Sequence, residues 1–171
     1  ISVDLKSEEG LKFAKELVCA SDVLIENFGA GVLDRLGLGY DVMQKINPNL
    51  VYCALKGFLS GPYEKRAALD EVVQMMGGLA YMTGPEGNPM RAGASVNDVM
   101  GGLFGVIAIQ AALWERQQTG KGTFVRSGLF ESNMFLVAQH MVQYRQTGIA
   151  AAPMPERVSA WAVYDVFETA D

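Results

Sequence analysis

Asp98 is the side chain on which most chemistry would turn. It stands in Asn97-Asp98-Val99-Met100-Gly101-Gly102, where a long apolar run begins, and two readings fit it. As an acid at a helix start it would cap free backbone N–H groups. As a nucleophile it would use the same place, because the positive end of a helix favours an ionised carboxylate. Gly101, Gly102 and Gly105 would then let a second helix or a thioester approach the first turns. Asp70, Glu71 and Gln74 open the preceding helical segment. Locally Asp70 and Glu71 read as acids interacting with a helix dipole, whereas carboxylates brought together by the fold would tune each other's pKa.

Other signatures of catalysis are sparse. The one histidine, His140, lies among Val137, Met141 and Val142 and reads as a satisfied or surface residue rather than a catalyst. Gly29-Ala30-Gly31 follows a short apolar run, as a phosphate-cradling loop does, but Asp34 occupies the place of the third glycine of a dinucleotide fingerprint. Plain turn glycines are the competing reading. No Gly-x-Ser-x-Gly, phosphate-binding P-loop or metal-ligand spacing occurs, so no metal is expected. Cys19 and Cys53 stand far apart without a Cys/His cluster and read as two buried thiols in a reducing cytoplasm.

The elements that must position these residues follow from periodicity. Ser7-Glu8-Glu9 opens a helix over about 8–19, and residues 22–26 form an apolar run suited to a buried strand. After the glycine loop come short helices near 32–36 and 41–46, a strand over 50–55, and a helix over 69–79 closed by Gly77 and Gly78. Residues 83–89 read as a turn. The longest helix runs from 97 to about 118; its almost wholly apolar stretch, Val99–Trp114, contains glycines and falls short of the ~20 residues a membrane span needs, so the helix is expected to lie buried between protein layers. A strand over 123–127 and a helix over 130–146 follow, then a proline-bearing linker over 149–158 and a strand-like stretch over 160–167. Strands alternating with helices predict an α/β fold with a mostly parallel sheet.

Composition narrows the class of function. The chain has 171 residues, 50% hydrophobic and 19% charged, with 14 Lys+Arg against 19 Asp+Glu and a net charge of −5. That is enough for a cored domain and too apolar for disorder, while the absence of a basic stripe argues against nucleic acid or an anionic membrane as partner. Residues 1–5 have no basic region leading into an apolar one, so no secretory leader is expected there.

Several segments together resemble the class III CoA-transferase family (CaiB/BaiF type), which includes formyl-CoA transferase, the carnitine CoA-transferase and the alpha-methylacyl-CoA racemases. They are Asp22-Val-Leu-Ile-Glu-Asn-Phe28, the stretch from Gly31 to Tyr40, Ile46-Asn-Pro-Asn-Leu-Val-Tyr52, Lys56-Gly-Phe58, Gly61-Pro-Tyr63, the stretch from Val72 to Gly78, Asn97-Asp98 before Gly101-Gly102, and Gln118-Thr-Gly-Lys-Gly122. Each is weak alone; together they run in the family's order over nearly the whole chain.

The resemblance implies a Rossmann-like large domain, met here without its first strand over residues 1–148, with 149–171 as linker and start of a small domain, in an interlocked homodimer. It implies that Asp98 attacks an acyl-CoA, with Asp70 as a possible support through a hydrogen bond toward Asp98. Asn27, Phe28, Ala30, Arg35 and Leu36 would hold coenzyme A, which is a substrate rather than a tightly bound cofactor. Ala67 stands where some members contact CoA with Lys, for which Lys65 or Arg66 would substitute. A carboxylic acid would be the second substrate. Leu69 stands where the racemase branch has a histidine base, which favours transfer over epimerisation. A non-catalytic CoA-binding module is the third reading.

Overall fold

The computed structural model describes residues 1–157, 163 and 166–171. Three strands, β1 (Val23–Glu26), β2 (Val51–Lys56) and β3 (Phe124–Gly128), form a parallel sheet in the order β1-β2-β3. Val23 pairs with Val51 at one end of the first ladder and Lys56 with Gly128 at the far end of the second. β2 is central, and its residues Val51 to Ala54 are all buried, as a strand covered on both faces requires.

The two-residue period of β2 sorts the core into two halves. Tyr52 and Ala54, with Leu50, pack on one face against Val18, Leu33, Leu38 and Met43. These belong to α1 (Glu8–Cys19), α2 (Val32–Arg35), its following turn and α3 (Tyr40–Ile46). Val51 and Cys53 pack on the other face against Ile109 and Ala112 of α6 (Val96–Thr119). Helices on both faces of a parallel sheet give the α/β layering that the alternating pattern predicts, in keeping with the Rossmann-like domain that the resemblance implies.

The direction of α6 decides where its N-terminus lies. Near that end, Ser127 Oγ donates to the Gly101 carbonyl at 2.8 Å, at the carboxyl end of β3. Near the other end, Arg116 donates to the Asn49 carbonyl and pairs with Asp22, each at 2.8 Å, where β1 and β2 begin. The helix therefore runs against the strands and delivers its first turn to the carboxyl edge of the sheet, the edge at which open α/β sheets hold ligands.

Four details differ from expectation. The helix over 69–79 is two: α4 (Asp70–Met76) stops at Gly77, and Gly78, at φ +85°, turns the chain into α5 (Leu79–Thr83). Cys53 is buried but Cys19 is exposed, because Val18 takes the inward position and one further residue rotates a side chain by about 100°. α6 is 24 residues, long and apolar enough to cross a membrane by length and composition. Only one face of it is buried on the sheet; Val99, Leu103, Val106, Ile107 and Trp114 are exposed, so it is not enclosed between layers in this chain. One of its glycines also serves differently: Gly105 fits against Leu55 and Cys53 of the sheet, whereas Gly101 admits Leu129 of the helix over 129–147, as a close approach by a second helix requires, and Gly102 faces open space.

α7 (Leu129–Thr147) packs against α4 and α6, and a single 3-10 turn covers Met154–Glu156. Most of the stretch expected as a strand, 160–167, lies outside the described residues.

Candidate active site

The first turn of α6 is held from outside the helix. Its N-cap position, Ser95, makes no side-chain capping bond. Asp70, at the start of α4 and only 3% exposed, reaches across instead: its Oδ2 accepts from the Asn97 amide at 2.7 Å and from the Asp98 amide at 3.1 Å. Asp70 thus does the capping that the sequence allotted to Asp98 as one option. Asp98, in the first turn, is an exposed residue whose carboxyl caps no amide among the described residues.

The two acids meet, through the main chain of one and the side chain of the other. Partial burial first, then the charges of Asp70 and Glu71, push the Asp98 carboxyl above the ordinary aspartate range, while Arg91 pulls it back. Burial and two nearby carboxylates thus act against the helix end, which favours the ionised form. Arg91 also lies 3.8 Å from Glu71, at the edge of ion-pairing distance.

Gln74, wholly buried, completes the support. Its Nε2 donates to Asp70 Oδ1 and its Oε1 accepts from the Ala92 amide at 2.7 Å. Asn97 and Asn133 are also fully buried, and Asn133 Nδ2 donates to Asn97 Oδ1 at 3.3 Å.

The second set of predicted residues lies on the loop after β1, at the same carboxyl edge. Asn27, Phe28, Ala30 and Arg35 are exposed and Leu36 is half-buried. Gly31, at φ +70°, turns the loop into α2, and Arg35 Nη1 folds back to 3.3 Å from where a Gly31 side chain would begin. α2 has only four residues, too few aligned peptides for a strong dipole, so the phosphate-cradle reading draws no support from it.

Two residues absent from the predicted set fix the loop. Glu26, 7% exposed at the end of β1, pairs with Lys56 at the end of β2 at 2.6 Å and accepts from the Phe28 amide at 2.9 Å. Lys56 also donates to the Phe28 carbonyl at 2.7 Å. Both stand inside the segments that carry the family resemblance, and opposite charges at the ends of neighbouring strands were the available signal. A cavity of about 290 Å³ opens beside them, lined by Ala30, Gly31, Tyr40, Lys56 and Arg126 among others. Asp98 does not line it: one edge of the sheet carries both predicted groups, but the described residues do not close them into one pocket.

Arg66 stacks on the Tyr63 ring at 4.7 Å, and Arg66 is exposed, as is Lys65. His140 lies on α7, half-buried, with no hydrogen bond to Asp70 or Asp98 among the described residues; Leu69, where a racemase base would stand, is exposed. No cluster of three or more His, Cys, Asp or Glu able to hold a metal occurs among the described residues.

Known proteins resemble this chain in sequence and fold. The mouse (Mus musculus) succinyl-CoA:glutarate CoA-transferase is 39% identical over 146 residues, covering 84% of this chain and 34% of that protein. The acetyl-CoA:oxalate CoA-transferase of Acetobacter aceti is 38% identical, covering 100% of this chain and 45% of its own length. A CaiB/BaiF family protein from Brucella suis superposes with a TM-score of 0.86 at 40% identity, over 90% of this chain and 41% of that one. The chain thus spans between about a third and a half of the length of these relatives. The family profile of CoA-transferase family III matches residues 1–171, and with relatives this similar the chain belongs to CoA-transferase family III.

Proposed function

We propose that this chain supplies the nucleophile and part of the coenzyme A site of an enzyme that moves CoA from an acyl thioester to a carboxylic acid. The observation that carries the reading is the exposed Asp98 at the carboxyl edge of a parallel sheet, on a helix start whose amides are fixed by a buried Asp70.

Asp98 attacks the thioester carbonyl, forming a mixed anhydride and releasing CoA as thiolate. The thiolate then attacks the aspartyl carbonyl, which frees the donor acid and leaves CoA as a thioester on Asp98. The acceptor carboxylate displaces CoA to give a second anhydride, and the thiolate returns to the acceptor's carbonyl, regenerating Asp98. Each step exchanges one acyl–oxygen or acyl–sulfur bond for another, so the balance closes with the two substrates and Asp98. A carboxylate with a raised pKa is, once ionised, the more basic and hence the better attacking group.

Asn27, Phe28, Ala30, Arg35 and Leu36 form the CoA-binding loop in this reading, with Arg35 suited to a phosphate and Phe28 to the adenine ring. The relatives named for succinyl-CoA, glutarate, acetyl-CoA and oxalate support short dicarboxylic or acetyl groups as the acids exchanged. A homodimer follows from the family resemblance, and the uncovered apolar face of α6 agrees with further protein packing there.

The test is CoA transfer from succinyl-, acetyl- and formyl-CoA to a panel of carboxylates by a protein carrying this chain at its relatives' length. Transfer that disappears in Asp98→Asn supports the reading. Exchange of the substrate's α-proton with deuterated solvent, without transfer, would establish epimerisation instead.

A further inference from the structure

Gln74 is fully buried in a stretch that is otherwise apolar, Val72-Val73-Gln74-Met75-Met76. A buried amide left unpaired is costly, so its partners matter. Both ends are engaged: Oε1 accepts from the Ala92 amide at 2.7 Å, and Nε2 donates to Asp70 Oδ1 and, at the longer distance of 3.4 Å, to the Ala94 carbonyl. A main-chain N–H can only donate, so the amide cannot be turned over without losing the Ala92 bond. One side chain therefore joins the carboxylate that caps α6 to the segment that leads into α6.

We propose that Gln74 is a positioning residue for Asp98: by holding Asp70 Oδ1 it keeps Oδ2 on the amides of Asn97 and Asp98, and by holding Ala92 and Ala94 it fixes the approach to the helix. The inference rests on Asp98 being the nucleophile. Removing the amide frees Asp70 to rotate and loosens residues 92–94 together with the neighbouring Arg91, so the Asp98 carboxyl loses its set position relative to a bound thioester. A shift of about 1 Å at a reacting group can slow a step by about a hundredfold. The charges that act on Asp98, from Asp70, Glu71 and Arg91, all belong to elements that Gln74 touches or adjoins.

Gln74→Glu distinguishes this role from plain packing. While protonated, the introduced carboxyl offers an O–H to Asp70 and a carbonyl to the Ala92 amide, as glutamine does. Once ionised it has no donor and sets a second carboxylate against Asp70. The experiment measures single-turnover formation of the covalent adduct on Asp98 across pH, in a protein of the relatives' length, with whichever of succinyl-, acetyl- or formyl-CoA labels wild type fastest. Circular dichroism and CoA affinity are followed in parallel.

Gln74→Glu is expected to label at the wild-type rate at the acid end and to lose about tenfold or more as the new carboxyl ionises, with fold and CoA affinity kept. Gln74→Met, of similar shape without donor or acceptor, is expected to be slowed by about tenfold or more at every pH. Folded variants with the wild-type rate and pH profile would overturn the proposal, as would a Gln74→Glu protein unfolded at every pH, since Gln74 would then serve folding alone. Absence of any adduct on wild-type Asp98 would overturn the nucleophile reading first, and this inference with it.

Discussion

Asp70 Oδ2 accepts a hydrogen bond from the Asp98 main-chain amide at 3.1 Å, so the two acids are joined by one carboxylate and one backbone N–H rather than by facing side chains. The arrangement gives each acid a separate task. Asp70, buried, satisfies amides at the start of α6, while Asp98 keeps its carboxylate for other partners.

The pH dependence of activity follows from this pairing. Asp98 must be ionised to attack, and its pKa is raised by burial, Asp70 and Glu71 against the pull of Arg91. Adduct formation is therefore expected to fall as pH drops through a value above the ordinary aspartate pKa of about 3.9. Asp70→Asn removes one repelling charge, so the acid limb should move to lower pH, while the maximal rate drops because the new amide N–H faces Gln74 Nε2, donor against donor. A pH–rate profile of both proteins checks the direction; an acid limb moving upward in Asp70→Asn contradicts it.

Lys56→Met tests the clamp on the loop after β1, the proposed CoA loop. It leaves Glu26 buried without its cation, and breaking a buried pair in this way is destabilising by about 3–5 kcal/mol. Urea unfolding should show that loss, whereas Lys56→Met/Glu26→Gln, which removes the unpaired charge, should recover much of it. The double variant should still bind CoA more weakly, because the Phe28 carbonyl has lost its donor.

Gly102 stands one turn after Asp98 on the same face of α6, with nothing near the place of a side chain among the described residues. Gly102→Ala is expected to raise stability by up to about 1 kcal/mol through helix propensity alone. Gly102→Leu should also fold, yet slow adduct formation, since its side chain would fill the space beside the attacking carboxyl. Equal rates for wild type and Gly102→Leu would place the thioester elsewhere.

Oxygen transfer offers an isotopic check on the anhydride route. With 18O in the acceptor carboxylate, the bridging oxygen of the second anhydride stays on Asp98, and it passes to a donor acid in whichever later turnover that oxygen makes the attack. Label should thus appear in the donor acid only after more than one turnover; label in the donor acid of the first turnover would show instead a direct anhydride between donor and acceptor acids, without an aspartyl intermediate.

Much of the layout was legible because it is local. Ser7-Glu8-Glu9 announces α1, the apolar run at 51–54 announces a strand covered on both faces, and Gly77-Gly78 marks the end of α4. Tertiary relations were not legible. Asp98 read as a cap because a helix start needs one; the family resemblance linked Asp70 to Asp98 by a hydrogen bond, but local pattern alone does not say that a residue 28 positions earlier supplies the cap. Gln74, uncharged within an apolar stretch, carried a faint signal: a polar residue in such a place is buried and must have partners. Glu26 and Lys56 were visible as charges at strand ends, but only the β1-β2 pairing brings them together. Cys19 was misplaced because residue type predicts burial less well than helical phase does.

Asp98 as the nucleophile is the central claim, and its most direct test is peptide mass spectrometry after incubation of a protein carrying this chain, at its relatives' length, with acyl-CoA thioesters. The predicted result is an acyl or CoA mass on the peptide containing Asp98, absent in Asp98→Asn. CoA binding without an adduct from any donor, or an adduct that persists in Asp98→Asn, would contradict it.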